Sequence, residues 1–531
     1  MTARDAPDGA QPDGAQPDGA QPDGARPDGA QPDGARPGGG PPARPLAAGA
    51  AASAVQWNSI AVAGRQLFLV ASSIVLARVL GPETYGVISA ATIYVTFTTL
   101  LLDQGLASAL IQRPALSRWA AGAVATANVV SGVLLAVATW FAAPWVADFF
   151  SVDELVPVLR WLGLGLVVKS LAIAPRAMQA RTLTFRSIAV ADVAGAAVGA
   201  VAGVVAAMLG AGPTAIVFQV VALDLVVAAV LVRAERGPVP NLHVRELRDL
   251  LGFGVRVMAT NGIAYFSRNA DNILVGRVLG VVALSYYGMA YRVLVIPVQM
   301  IGQTVSRVMF PVFSRLADRR DLLGDNLLKA MEMLAVVTLP LMGLLAAASH
   351  EVVTVVLGTE WLPAAPLLTV LAVAGARETV VYVSGPLMKA TGRVRLLVRY
   401  ELLATAVQVG GIVLGLRWGV LGVAVGYTVA GFLLTPVLLV IQRRLAGVSA
   451  RQQAAAVLPS LHGAVWGLVA YVLVTLTDLG PLATLLLGSA AYVAATAAVL
   501  ATVHRAATAR ALRRLATVLP GRRRRTPGTT A

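Results

Sequence analysis

The sequence contains no cysteine in 531 residues, which excludes a disulfide framework, a thiolate metal site and a cysteine nucleophile. Its four histidines are scattered at 243, 350, 462 and 504 and leave little for a metal centre. Charge is scarce as well: 13% of residues are Asp, Glu, Lys or Arg, whereas soluble domains carry about 25%. The length would accommodate about three soluble domains. A soluble chain this poor in charge could not cover its surface, so that reading is excluded. What is abundant instead is apolar surface, with 57% hydrophobic residues and a mean hydropathy of +0.73. The scarce charge is lopsided, 43 Lys and Arg against 27 Asp and Glu, for a net +16.

Residues 1–55 form a low-complexity segment in which Pro-Asp-Gly-Ala recurs six times between Pro7 and Ala35. It has nothing to bury and is expected to be a disordered cytoplasmic tail, not a signal peptide, because it lacks an apolar core. From Gln56 onward the chain is a series of apolar runs, each long enough to cross ~30 Å of hydrocarbon. The pattern predicts fourteen spans, near 57–80, 86–111, 119–146, 156–175, 187–209, 214–233, 250–275, 281–311, 327–348, 363–388, 396–416, 418–441, 457–477 and 480–503. The expected organisation is an N-lobe at 56–233, a cytoplasmic linker at 234–249 and a C-lobe at 250–441. Two additional helices at 442–504 and a basic tail at 505–531 follow. Within the linker, residues 245–251 read as an amphipathic turn lying on the membrane surface.

The position of the charges orients the spans. With both termini in the cytoplasm, the cytoplasmic loops and C-terminal tail hold 29 Lys and Arg, and the loops on the other side hold three, Arg78, Arg277 and Arg417. This is the distribution of a multi-pass protein of the cytoplasmic membrane. The run Arg522–Arg525 reads as a tail on anionic membrane lipid, and no nucleic-acid partner is expected. The chain also repeats itself: Arg78-Val-Leu-Gly81 leaves the first span and Arg277-Val-Leu-Gly280 leaves the seventh, 199 residues later. Both copies face the same side, so the halves form a parallel repeat, the architecture of alternating-access carriers with a central cavity. The fold class is therefore an all-α polytopic membrane protein with two pseudo-symmetric lobes. Gly195, Gly199 and Gly203, at a spacing of four, read as a helix-packing face.

A charge at mid-bilayer costs at least ~2.5 kcal/mol and must face protein or water. Arg65 lies in the first span, and Thr92, Thr96, Thr99 and Asp103 lie in the second; Arg65 and Asp103 could pair. The seventh span carries the stripe Asn261, Tyr265, Arg268 and Asn272, with Asp271 beside Arg268 and Arg256 earlier; Arg268 and Asp271 could pair as well. The eighth carries Arg292 and Gln299. A cavity holding Arg65, Arg256, Arg268 and Arg292 would suit a diphosphate, which guanidinium binds in bidentate fashion. Asn261, Tyr265, Asn272 and Gln299 would suit sugar hydroxyls. Asp192 and Asp224 are structural partners or sites that couple H+ or Na+. Arg377-Glu378 reads as a local pair near a helix end. No metal or other cofactor is expected.

Several short stretches carry a resemblance. Leu76-Ala-Arg-Val-Leu-Gly-Pro-Glu-Thr-Tyr-Gly86, Leu102-Asp-Gln-Gly-Leu106, Phe266-Ser-Arg-Asn-Ala-Asp-Asn272, Tyr286-Tyr-Gly-Met-Ala-Tyr-Arg292 and Phe310-Pro-Val-Phe-Ser-Arg-Leu316 occur in order between about 56 and 440. With them the chain resembles the polysaccharide-transport, Wzx/WzxC-like flippases of the multidrug/oligosaccharidyl-lipid/polysaccharide (MOP) exporter superfamily. The resemblance implies transfer of a polyprenyl-diphosphate-linked oligosaccharide between leaflets for cell-surface polysaccharide synthesis. Glycosyltransferases and a polymerase of the same pathway would be partners. It implies cationic cavity residues for the diphosphate, for which Arg65, Arg268 and Arg292 are the candidates, and no enzyme activity. Forty arginines against three lysines point to a GC-rich bacterial genome. A MATE-type exporter of cationic drugs would favour an acidic cavity. A membrane polymerase or ligase would need a larger outer domain with acid/base groups.

Overall fold

The computed structural model describes residues 48–505, apart from 104, 114–115 and 235–237, together with residue 509. The chain divides into two units, Met1–Ala51 and Ala52–Ala531. The first lies almost wholly outside the described residues. The Pro-Asp-Gly-Ala repeats and the run Arg522–Arg525 lie outside them too.

In hydrocarbon every backbone N–H and C=O must be satisfied within the protein, and a helix does this within one segment. The described residues accordingly form helices and no strand. In chain order these are α1 Ala48–Asp103, α2 Leu106–Gln112, α3 Ala120–Phe150, α4 Leu155–Arg181, α5 Phe185–Met208, α6 Ala215–Ala234, α7 Val244–Leu279 and α8 Val281–Arg315. They continue with α9 Arg320–Ala347, α10 Ser349–Val352, α11 Ala364–Ala390, α12 Val394–Gly415, α13 Gly419–Ala446, α14 Ala450–Thr475 and α15 Pro481–Thr502. Ten stretches among the described residues are long and apolar enough to cross a bilayer. Two of these, Ser59–Asp103 and Val394–Ala446, run to 45 and 53 residues, about twice the length one crossing needs.

The first of the two long stretches is broken where the sequence repeat lies. Gly81 has φ 71° and ψ 172° inside α1. Gly280, between α7 and α8, has φ 86° and ψ 169°. This region of backbone space is essentially open to glycine alone. The chain reverses at each: Ser73 Oγ and Tyr85 Oη, twelve residues apart, are 2.6 Å apart, whereas a straight helix would separate them by ~18 Å. Across Gly280, Tyr287 Oη donates to Asp271 Oδ2 at 3.1 Å, sixteen residues away. The two copies of Arg-Val-Leu-Gly thus make the same turn.

Two boundaries differ from the sequence expectation. The second span ends at Asp103 and not at 111, because Gly105 takes a left-handed conformation (φ 69°) and starts the separate helix α2. The turn at 245–251 is not a separate surface element. It is the start of α7, which runs unbroken from Val244 because no proline or positive-φ glycine interrupts it.

Helices α3 to α6 pack on one another, α4 against both α3 and α6. Helices α8, α9, α11 and α13 form the corresponding group, with α12 against α13 and the α14–α15 pair against α9. Gly195, Gly199 and Gly203 face α6 as their spacing predicts: a Cβ on each would lie 2.6–2.7 Å from Val227, Gln219 backbone or Gln219 side chain, respectively.

The apolar core is distributed unevenly along the bundle. At the end carrying Gly81 and Gly280, one cluster joins both halves of the chain, from Leu76, Ala77 and Tyr85 to Leu284, Leu357 and Trp361. At the opposite end the core splits. One cluster there is built from α4, α5 and α6, and two others from residues after 300. A fourth, around Leu106, Leu110 and Val124, draws only Leu247 from the second half. The halves share one core at the first end, the fused end; at the other their cores are separate and meet where α7 begins, a Cβ on Gly105 lying 2.5 Å from the Gly254 carbonyl, and a cavity lies where the shared core stops.

Candidate functional site

The cavity has a volume of about 510 Å³, and its polar lining includes Arg65, Lys169, Asp224 and Arg292. A second space of about 320 Å³ is lined by Arg268, Asn269 and Asn272. The two share Gln66, Tyr85, Thr92, Thr96 and Arg292, so they form one continuous site. Each cation comes from a different stretch of helix: Arg65 from the first half of α1, Lys169 from α4, Arg268 from α7 and Arg292 from α8. At 1.5 Å per residue from the fused end of each helix they lie at depths of ~18–24 Å. Their backbone positions thus fall within ~6 Å of one another in depth, two in each half of the chain.

Arg292 is held by hydrogen bonds from Nη1 to Ser73 Oγ and, at 2.9 Å, to Tyr85 Oη. Ser73 and Tyr85 flank the Gly81 reversal, so the repeat geometry positions this guanidinium directly. Arg65 and Arg268 are exposed to the cavity and form no hydrogen bond or ion pair among the described residues. Their donors are available to a ligand. Lys169 Nζ lies 3.6 Å from Asp224 Oδ1. Thr92 and Thr96 add hydroxyls on the same wall, although each already donates to its own helix.

Of the residues singled out in the sequence, Arg65, Arg268, Arg292, Asn272 and Asp224 line this space. The others are placed differently. Tyr265 is buried and donates to the Ile93 carbonyl at 2.6 Å, packing beside Phe97. It fastens α7 to α1 and does not line the cavity, so its expected sugar contact is corrected. Asn261 lies outside both lining sets. The side chains of Arg256 and Gln299 lie outside the described residues.

The expected ion pairs are also corrected. Arg65 does not pair with Asp103, whose Oδ1 is buried without a hydrogen-bond partner among the described residues. Asp103 lies ~9 Å deeper along its helix than Arg65 does along its own, counted from Gly81. Asp271 is buried and accepts from Tyr287 Oη and from the Asn272 N–H at 2.8 Å, not from Arg268. Asp192 is bound in bidentate fashion by Arg176, between α5 and α4, and neither residue lines the cavity. Arg377 and Glu378 do pair, at 3.4 Å, but in the middle of α11 and not near its end.

Lys169 is the cavity residue that sequence reasoning missed. It lies fourteen residues into α4, at a depth close to that of Arg65.

A second set of contacts closes the fused end. Arg78 Nη1 donates to the Val355 carbonyl at 2.9 Å. Trp361, buried, donates from Nε1 to the Ala77 carbonyl at 3.1 Å and packs edge-on against Tyr85 and Tyr286. Arg277 lies over the Phe149 ring at 5.5 Å. These contacts join the first half of the chain to the second.

The features together define an all-helical, multi-pass membrane protein, its halves joined around a central cavity. The fold is that of the lipid II flippase MurJ in its inward closed conformation. That likeness has a TM-score of 0.64 at 13% identity and covers 85% of this chain and 100% of that one. A family model described as polysaccharide biosynthesis protein matches residues 75–366, and the chain belongs to that family. It is 29% identical over 311 residues to the teichuronic acid biosynthesis protein TuaB of Bacillus subtilis (strain 168), covering 56% of this chain and 62% of that relative. It is 26% identical over 389 residues to the lipopolysaccharide biosynthesis protein WzxC of Escherichia coli (strain K12), covering 73% and 78%.

Proposed function

We propose that the protein flips a polyprenyl-diphosphate-linked oligosaccharide across the cytoplasmic membrane by alternating access, for synthesis of a cell-surface polysaccharide. The observation that carries this reading is a cavity lining with four cations, Arg65 and Lys169 from the first half of the chain and Arg268 and Arg292 from the second, opposed by a single carboxylate, Asp224. A diphosphate placed there is reached from both halves, and guanidinium keeps its charge when desolvated. The names of the relatives, which concern teichuronic acid and lipopolysaccharide biosynthesis, support a glycan cargo.

With each long stretch counted twice and α7 and α8 added, the chain crosses the membrane fourteen times, with both termini in the cytoplasm. The fused end then faces outward and the separately packed end faces the cytoplasm. The headgroup enters from the cytoplasm with its prenyl tail left in lipid, and rocking of the lobes exposes it outside. No bond is made or broken, so the protein is a carrier and not an enzyme. Glycosyltransferases supply its cargo and a polymerase consumes it. The arginine-rich lining disfavours a cationic drug as cargo.

Deletion of the gene, followed by analysis of lipid-linked oligosaccharides, tests this function. Accumulation of one polyprenyl-diphosphate-linked glycan in the cytoplasmic leaflet is expected. Normal glycan export with altered drug sensitivity would overturn it.

A further inference from the structure

Asp224 stands out in the cavity because everything else charged on the lining is positive. It is buried, with 5% of its surface exposed, and it projects from α6 into a space shared with Arg65, Lys169 and Arg292. Lys169 is its contact partner at 3.6 Å. Arg65 and Arg176 act electrostatically on the same carboxylate. The Lys169–Asp224 separation is longer than the 2.7–2.9 Å of a well-formed charged hydrogen bond. The bidentate Arg176–Asp192 pair nearby is much tighter and lies off the cavity. One ion pair in this half is therefore locked into the helix packing, and the other is loose and faces the cavity.

Four cations gathered at mid-membrane repel one another, and the empty cavity needs an anion among them. A diphosphate supplies that anion only while cargo is bound. We propose that Asp224 is a resident counter-ion that holds Lys169, with Arg65 beside it, in the empty carrier and cedes them to the diphosphate of the cargo. The exchange keeps the lining from ever being a bare cluster of positive charge. It also gives the carrier a way to release a tightly bound dianion, because Asp224 retakes Lys169 as the headgroup departs. Lys169 is then a cargo ligand in its own right, and Asp224 is a positioning residue that sets affinity without touching the cargo. The inference rests on the prenyl-diphosphate reading of the cavity.

The test uses the full-length protein in lipid nanodiscs and measures binding of farnesyl diphosphate to the wild type, Asp224→Asn, Asp224→Glu and Lys169→Met. Asp224→Asn is expected to bind about five- to tenfold more tightly, the range of a modest coupling between two sites. Its flipping rate at saturating cargo should fall, because release loses its competitor. Asp224→Glu should behave as the wild type, and Lys169→Met should bind more weakly. A merely structural carboxylate would not tighten binding when its charge is removed. Unchanged or weaker binding by folded Asp224→Asn overturns the counter-ion role and leaves the cargo reading intact. Absence of any binding by the wild type overturns the cargo reading as well. If Asp224→Asn does not fold, Asp224→Ser takes its place: tighter binding than the wild type supports the exchange, and unchanged or weaker binding overturns it.

Discussion

Arg78→Ala is a perturbation whose effect should fall on the conformational equilibrium and not on folding. The Arg78 side chain is exposed, and its recorded bonds are Nη1 to the Val355 carbonyl at 2.9 Å and to the Val356 carbonyl at 3.5 Å. Removing it opens no core cavity. A hydrogen bond from a charged donor contributes ~1.5–3 kcal/mol when shielded, and exposure to water reduces this to ~1 kcal/mol. That bond exists only while the fused end is shut. Its loss should therefore shift the balance toward the state open at that end about fivefold. Trp361→Phe keeps most of the buried ring but removes the Nε1 bond to Ala77, another ~1 kcal/mol. The double variant should then shift the balance about thirtyfold. The natural absence of cysteine makes the assay direct. A single Thr92→Cys, on the cavity wall, is labelled by a membrane-impermeant maleimide added to the outer face of spheroplasts. Labelling should be slow in the parent and faster by these factors in the variants. Equal labelling of the parent and the double variant, at equal protein level, would refute the assignment of these contacts to closure.

Other substitutions separate the roles of individual side chains. Arg268→Ala and Arg268→Lys, compared at equal protein level, should both reduce glycan export. Alanine should reduce it by about tenfold or more and lysine by less, because lysine keeps the charge but loses the fork; full export by both would remove Arg268 from the site. Gly280→Ala meets open space, so its cost is the backbone conformation alone, ~1–3 kcal/mol, seen as a lower unfolding temperature in detergent. Arg176→Leu leaves Asp192 buried without its partner and should cost ~3 kcal/mol of stability, seen as a lower unfolding temperature in detergent.

The parts of this fold that were legible in the sequence are those encoded locally. A Gly at the same place in two copies of Arg-Val-Leu-Gly announced a repeated turn, and Gly81 and Gly280 have nearly the same dihedrals. Four-residue glycine spacing announced a packing face on α5, and the structure supplies α6 as its partner. The intramembrane cations were legible because hydrocarbon penalises them wherever they lack water or a partner. Pairing was not legible, because adjacency of two spans gives no depth. Arg65 and Asp103 lie in neighbouring segments but sixteen and twenty-two residues from their shared reversal. The stripe Asn261, Tyr265, Arg268 and Asn272 was not divisible from its spacing either. One helix face serves two surroundings: Tyr265 packs on α1, and Arg268 and Asn272 reach the cavity. Lys169 was hidden for a related reason, since its counter-charge on α6 is fifty-five residues away and only the packing of α4 on α6 brings them together.

The repeat also explains how closure is shared. In each copy the arginine stands three residues before the reversing glycine, at the exposed end of its helix, where it can reach the other half. The two arginines meet different chemistry there. Arg78 finds carbonyls in the π-turn Val353–Leu357, which ends at Gly358 with φ 104°. Arg277 finds the face of Phe149, at the end of α3, and an exposed contact of that kind contributes ~0.5–1 kcal/mol. Neither latch is strong, and an alternating carrier needs them weak. Moving a two-state balance from 1:99 to 99:1 takes only ~5.5 kcal/mol. Apolar surface uncovered at one end of the bundle is largely offset by surface covered at the other. The residual that decides which end stays shut is of the size of a few such contacts, so under the proposed cycle the fused end is held by contacts as weak as those of Arg78, Arg277 and Trp361 and still lies within reach of the binding energy of one cargo headgroup.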